Sequence, residues 1–194
     1  MYIKKITLIV FLYFLNLNTL YSLEPDVFVQ STVNRASKVL SENLTKDKKI
    51  YELKLIAEET VDIKGIGFYT LGAARKGLDS SQKKQYSDLF KNYFLKSFSS
   101  RLAEYTNPEI EVISKEVLNE NYTIVNSILK STKERPEVKI DWRIYTKNPD
   151  NPLIRDLIIE GLSLARTQRE EFNSVIQNGD GKIEVLFLNL REFI

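Results

Sequence analysis

The sequence predicts an α+β domain in which helices pack on one face of a twisted, four-stranded antiparallel sheet. Three observations lead there. Apolar residues recur at three- and four-residue spacing through the first half of the chain, from about Asp26 to Tyr105. They then alternate with polar residues from Ile110 onward, and helical spacing returns after Ser163. Helices first and a run of consecutive strands second is an α+β order, not the alternation of βαβ units.

The first helix is expected from about Asp26 to Leu44, where Phe28, Val29, Val33, Ala36, Val39 and Leu40 share one face and Asp26 can cap. A second covers Lys46 to Thr60. A shorter one spans Asp62 to Arg75, where Gly65, Gly67 and Gly72 cost helix stability and so imply close packing or a bend. The clearest element runs from Ser80 to Tyr105. Asp79 precedes it with Gln82 three residues on, the spacing of a capping box. Tyr86, Leu89, Phe90, Tyr93, Phe94, Phe98, Leu102 and Tyr105 line one side, opposite Lys, Gln, Asp, Asn, Ser and Arg.

After Asn107-Pro108 the period changes. Ile110 to Leu118 and Tyr122 to Leu129 read as strands joined at Asn119-Glu120-Asn121. Val138, Ile140, Trp142 and Ile144 alternate with Lys139, Asp141, Arg143 and Tyr145, as a half-buried strand does. Asn148 to Pro152 is a turn, and Leu153 to Gly161 makes the fourth strand. Helix resumes near Ser163 and stops around Gly179. A short apolar helix carrying Ile183, Leu186, Phe187 and Leu190 closes the chain.

Residues 1–22 precede all of this with the layout of a secretory signal peptide. Lys4 and Lys5 open it, an apolar run follows from Ile6 to Leu15, and Ser22 supplies a small residue for cleavage. That run is about half the ~20 residues a spanning helix needs. No cysteine follows it for lipid anchoring. The expectation is therefore export, leaving one domain over residues 23–194. The 28 basic residues less the two lysines of the signal leave 26, equal to the 26 acidic residues, so the mature part is neutral. It has no overall field to draw it onto nucleic acid.

The chain contains neither histidine nor cysteine. Imidazole acid–base chemistry, thiol nucleophiles and the usual zinc ligand sets are thus excluded. Gly65-Ile66-Gly67 is too short for a dinucleotide fingerprint, and Glu58-Glu59 and Glu170-Glu171 are helix neighbours pointing apart. The pattern is that of a non-enzymatic protein. Asp141, Arg143, Asp156 and Glu160 fall on adjacent strands. They read either as an ion network locking the sheet or as a polar site at a pocket mouth. The aromatic stripe from Tyr86 to Tyr105 reads as core by periodicity alone.

Two stretches add to this reading. Gly67 to Tyr105 carries Gln82, Tyr86, Leu89, Phe90, Tyr93, Ser100, Arg101, Leu102 and Tyr105 in order. Ile140 to Ser163 carries Asp141, Trp142, Arg143, Asp156, Glu160, Gly161 and Ser163, followed by Arg169 and Phe172. Together they resemble the MlaC family of periplasmic phospholipid-binding proteins over essentially the whole mature chain. One departure is Pro152-Leu153, where the family has Trp-Lys before its last strand.

The resemblance implies a monomeric periplasmic carrier without cofactor or metal, exchanging phospholipid with an inner-membrane ABC lipid transporter complex and an outer-membrane lipoprotein complex. It implies an apolar pocket between helices and sheet that takes the acyl tails and leaves the headgroup outside. Phe68, Tyr69, Leu71, Phe90, Phe94, Phe98, Trp142, Ile144, Leu157 and Ile159 are the candidate pocket residues. No dense basic cage for a phosphate is visible, so tails should dominate binding. The rival class is a periplasmic chaperone or scaffold binding hydrophobic protein segments. A lipid- or wall-directed enzyme using serine, lysine or carboxylates is a second.

Overall fold

The computed structural model describes residues 23–133 and 135–194, so the expected signal peptide at residues 1–22 lies outside the described residues. The chain forms helix α1 (Pro25–Ser41), α2 (Lys46–Thr60), α3 (Ile63–Thr70), a 3-10 turn (Gly72–Lys76) and α4 (Ser80–Leu102). Strands β1 (Ile110–Asn119), β2 (Tyr122–Leu129), β3 (Val138–Tyr145), β4 (Leu153–Ile159) and β5 (Leu162–Ser163) follow, then α5 (Leu164–Asn178) and α6 (Ile183–Phe193). Among the described residues no helix is long and apolar enough to cross a membrane.

The helix ends differ from the sequence expectation for local reasons. α1 stops at Ser41, not Leu44, because Glu42 is already extended and Thr45 caps α2 by accepting from the Lys48 amide. The expected helix from Asp62 to Arg75 breaks after Thr70. Gly72 sits at φ 55, a left-handed value that suits glycine, and the chain tightens into the 3-10 turn. α4 begins where expected, with both halves of the Asp79–Gln82 capping box in place. It ends three residues early, at Leu102 instead of Tyr105.

The sheet is an antiparallel meander in chain order, β1 through β5. It has five strands where the sequence predicts four. β4 ends at Ile159, and Glu160 and Gly161 both take positive φ, 49° and 81°. Two consecutive left-handed residues make the tight hairpin whose twist matches the strands it joins. The chain folds back so that Leu162 and Ser163 pair with Ile159 and Ile158. A two-residue strand is too short to show a period, so alternation alone extends β4 to Gly161.

The layering also differs. The sequence places the long aromatic helix directly on the sheet. Instead α1 lies on β1 and β2, α3 and α5 lie on β4, and the main backbone neighbours of α4 are α2, α3 and α6. α4 is therefore the hub of the helical layer and stands off from the strands. At its heart Tyr86 and Phe90 are almost wholly buried, stacked on one another at 5.8 Å, with Phe187 of α6 6.2 Å from Tyr86 and Phe172 of α5 edge-on to Phe90. The buried Tyr86 hydroxyl is 2.8 Å from Thr70 Oγ1, which itself donates to the Gly67 carbonyl. Burial chiefly pushes the Tyr86 phenol far above its usual range.

Gly67 sets how closely α3 and α4 approach. A Cβ there would come within 2.7 Å of Phe90 Cδ1, and that ring is already held against Tyr86, Tyr93, Phe94 and Phe172. Gly67→Ala should therefore destabilise by about 1–2 kcal/mol, the overpacking cost exceeding the gain of about 1 kcal/mol in helix propensity. Urea unfolding of the two proteins measures the difference.

Candidate functional site

β3 and β4 pair with one irregularity. Trp142 faces Leu157, Arg143 faces Asp156, and then Ile144 faces Ile154, leaving Arg155 as an extra residue on β4. This is a β-bulge. Residues 154 and 157 would point to opposite sides of a regular strand. The bulge turns both toward the side where Trp142 and Ile144 lie.

The extra residue is not idle. Arg155 Nε donates to Asp62 Oδ2 at 2.6 Å and Nη1 donates to the Tyr122 hydroxyl at 2.6 Å, while its guanidinium lies 3.6 Å from the centre of the Tyr145 ring. Burial works against the charge of Arg155, and the hydrogen bonds it donates to Asp62 and Tyr122 outweigh it, so its pKa is raised. Asp62 also caps α3 through the Gly65 amide, and its own amide donates to the Ile154 carbonyl. One residue thus ties the α2–α3 corner to the sheet.

Between α4 and this bulged strand lies an apolar cavity of about 210 Å³. Phe90, Tyr93, Phe94 and Phe98 of α4 form one wall, Trp142, Ile154 and Leu157 form the other, and Val61, Ile66, Leu164 and Ala165 close the sides. Phe94 and Phe98 are stacked 5.3 Å apart and half-buried. Trp142 presents a satisfied ring, because its indole N–H donates to Ser127 Oγ at 2.8 Å. Ser97, Arg101, Thr167, Gln168 and Glu171 make a polar rim. The Tyr93 hydroxyl donates to Gln168 there, and burial first, then Glu171, push its phenol up.

Asp156 is the buried carboxylate of this wall, 4% exposed. It accepts from Ser163 Oγ at 2.6 Å and from the Ala165 amide at 2.9 Å, which fixes the start of α5. The predicted four-residue ion network therefore reduces to one long contact, Arg143 to Asp156 at 4.0 Å. Asp141 instead accepts from Asn126, and Glu160 from the Lys139 amide.

A second cavity, of about 490 Å³, adjoins the first and shares Ile66, Asp156 and Ala165 with it. It differs in its charged residues. Arg75, Arg143 and Arg155 line it together with Tyr69, Asn119 and Tyr122. The sequence shows no basic cage because these arginines come from the 3-10 turn, β3 and β4.

Of the ten candidate residues, Phe90, Phe94, Phe98, Trp142 and Leu157 line the apolar cavity. Tyr69 is 42% exposed on the second cavity. Leu71 and Ile144 are buried in the core, Phe68 packs against it, and Ile159 ends β4 opposite Ile140. Tyr93 lies on the same α4 stripe and was within reach of sequence reasoning. Ile154 was not, since its direction depends on the bulge. Nor were Val61 and Ile66, which the α2–α3 corner brings in.

The MlaC protein family model matches residues 30–192. Among solved structures, a phospholipid-binding protein from Ralstonia solanacearum in complex with a phospholipid matches with a TM-score of 0.74 and 20% sequence identity. The match covers 88% of this chain and 97% of that one, and establishes a shared fold. No curated protein matches the sequence.

Asp156→Ala would strand the buried Ala165 N–H without its acceptor. An unsatisfied buried donor costs about 1–3 kcal/mol, so stability should fall by that amount, and by less in Asp156→Asn, which keeps one carbonyl acceptor. Denaturant unfolding followed by Trp142 fluorescence ranks the three proteins. Equal midpoints would show that Asp156 does not hold α5.

Proposed function

The chain belongs to the MlaC family, and from that premise we propose that it is a periplasmic phospholipid carrier. It binds acyl chains in the apolar cavity and moves lipid between an outer-membrane lipoprotein complex and an inner-membrane ABC transporter complex. Its role is binding, not catalysis, and residues 1–22 direct its export. The observation that carries this reading is the cavity between α4 and β4, aromatic on one wall, aliphatic and indole on the other, and polar only at its rim. The fold shared with a protein solved with phospholipid supports it.

The physics agrees. Each methylene withdrawn from water is worth about 0.8 kcal/mol, so two acyl chains represent roughly twenty or more kcal/mol. Escape of such a molecule into water is very slow, and a carrier must take it up and release it while docked. The cavity, at about 210 Å³, is smaller than the ~300–1,000 Å³ usual for drug-sized ligands. Two tails therefore require the walls to part. Tyr93, Phe94 and Phe98 are half-buried members of the α4 wall; the Tyr93 hydroxyl is tied to Gln168, so Phe94 and Phe98 are the side chains that turn aside as tails enter.

The direct test is native mass spectrometry of residues 23–194 purified from a bacterial periplasm without detergent. One diacyl phospholipid per chain is the expected result. A bare mass, unchanged after incubation with phospholipid vesicles, would instead favour a chaperone or scaffold for hydrophobic segments. Phe94→Asp puts a carboxylate against the tails, and retention should fall by about two orders of magnitude or more in a folded variant. Wild-type lipid content in that variant would remove Phe94 from the binding wall.

A further inference from the structure

We propose that the second cavity is an anion site for a phosphoryl group. Three guanidinium groups converge on it from separate elements: Arg75 from the 3-10 turn, Arg143 from β3 and Arg155 from the β4 bulge. Two of them lack close partners. Arg75 is exposed and has no carboxylate within ion-pair distance among the described residues. Arg143 reaches Asp156 only at 4.0 Å, and its Nε is buried without an acceptor.

The charge balance points the same way. Asp156 is the acidic side chain on the lining, and Asp62 behind it is taken by Arg155, so three positive charges face at most two negative ones. Tyr122 accepts from Arg155, which leaves its own hydroxyl hydrogen free to donate. Arg169 stands alongside, 5.2 Å over the Tyr69 ring. Planar guanidinium forks arranged around a cavity of about 490 Å³ suit a tetrahedral oxyanion with a substituent better than a lone carboxylate.

Two sources share this chemistry, a phospholipid headgroup and free phosphate. Position favours the headgroup, an assignment that rests on the carrier reading. The same three residues, Ile66, Asp156 and Ala165, line both cavities, which puts the arginine side next to the aromatic side, where an amphiphile bridging the two would set its phosphate on the first and its tails on the second. The family resemblance implies a headgroup left outside the protein, whereas this arrangement holds it.

The test compares phosphatidic acid with diacylglycerol of identical chains, each offered in neutral vesicles to the mature protein and to the variant Arg75→Ala/Arg143→Gln. The wild type should hold phosphatidic acid about tenfold more tightly. The variant should bind both lipids alike, with diacylglycerol unchanged, since neither arginine lines the apolar cavity. Arg75→Ala alone, which breaks no ion pair, should lose a few-fold and decides the matter if the double variant does not fold. Inorganic phosphate titrated calorimetrically separates the sources. Phosphate binding that the variant loses, with no lipid bound, would uphold the anion site and sink the carrier reading. Lipids bound without preference, and no phosphate binding, would overturn the anion site and leave the carrier reading intact.

Discussion

The single extra residue in β4 is the constraint on which the rest of this structure depends. By inserting Arg155, the strand changes which side chains face the helices and also supplies the cation that holds those helices in place. Ile154 and Leu157 come to lie beside Trp142, and Asp156 turns to receive the first turn of α5. Arg155 itself reaches Asp62, whose carboxylate caps α3 and whose amide bonds the same strand. The α2–α3 corner, the start of α5 and the cavity floor are thus set by one local departure from regular pairing. Such a partly buried ion pair contributes mainly by fixing geometry, because desolvation offsets much of its attraction.

The aromatic helix then divides its labour along its length. Near its start Tyr86 and Phe90 are enclosed by Phe172 and Phe187, so the rings serve as packing and anchor α5 and α6. One or two turns later Phe94 and Phe98 border a cavity that the start of α5 and the sheet close on its other sides. Stiff rings with two side-chain torsions suit that position. They can border an open space without collapsing into it as a longer, more flexible side chain would, and they offer large apolar area to a ligand.

Most of the fold is legible in the sequence, because its main elements are long enough to show a period. α4 is marked by its stripe and capping box, β3 by Val138, Ile140, Trp142 and Ile144. What escapes are features without a period: the two-residue β5 behind the Glu160-Gly161 turn, and the left-handed Gly72 that ends α3. The candidate site is legible by halves for a related reason. Residues on the α4 stripe can be found because helical spacing fixes their direction. Those on β4 are displaced by a bulge that alternation cannot reveal. Leu157 therefore falls where the sequence puts it, Ile154 is hidden, and Ile159 lies at the far end of the strand, away from the cavity lining. The arginine cavity is invisible, since its members meet only through the fold.

Asp156 occupies an unusual place in this arrangement, at the wall common to the apolar and the basic cavities. Its carboxylate is held in place there by Ser163 and the Ala165 amide. A fixed carboxylate at that boundary repels an anionic group that would slide toward the aromatic wall, while the arginines beyond it attract the same group. Acyl tails feel neither effect. Charge of one sign at the partition and of the other sign past it therefore gives an amphiphile a preferred orientation, tails toward Phe94 and phosphate toward Arg75 and Arg143. Polarity along the path, more than tightness of fit, is what the two adjoining cavities provide. On the proposed carrier reading this matters, because a lipid held always the same way round would be presented to every docking partner by the same end.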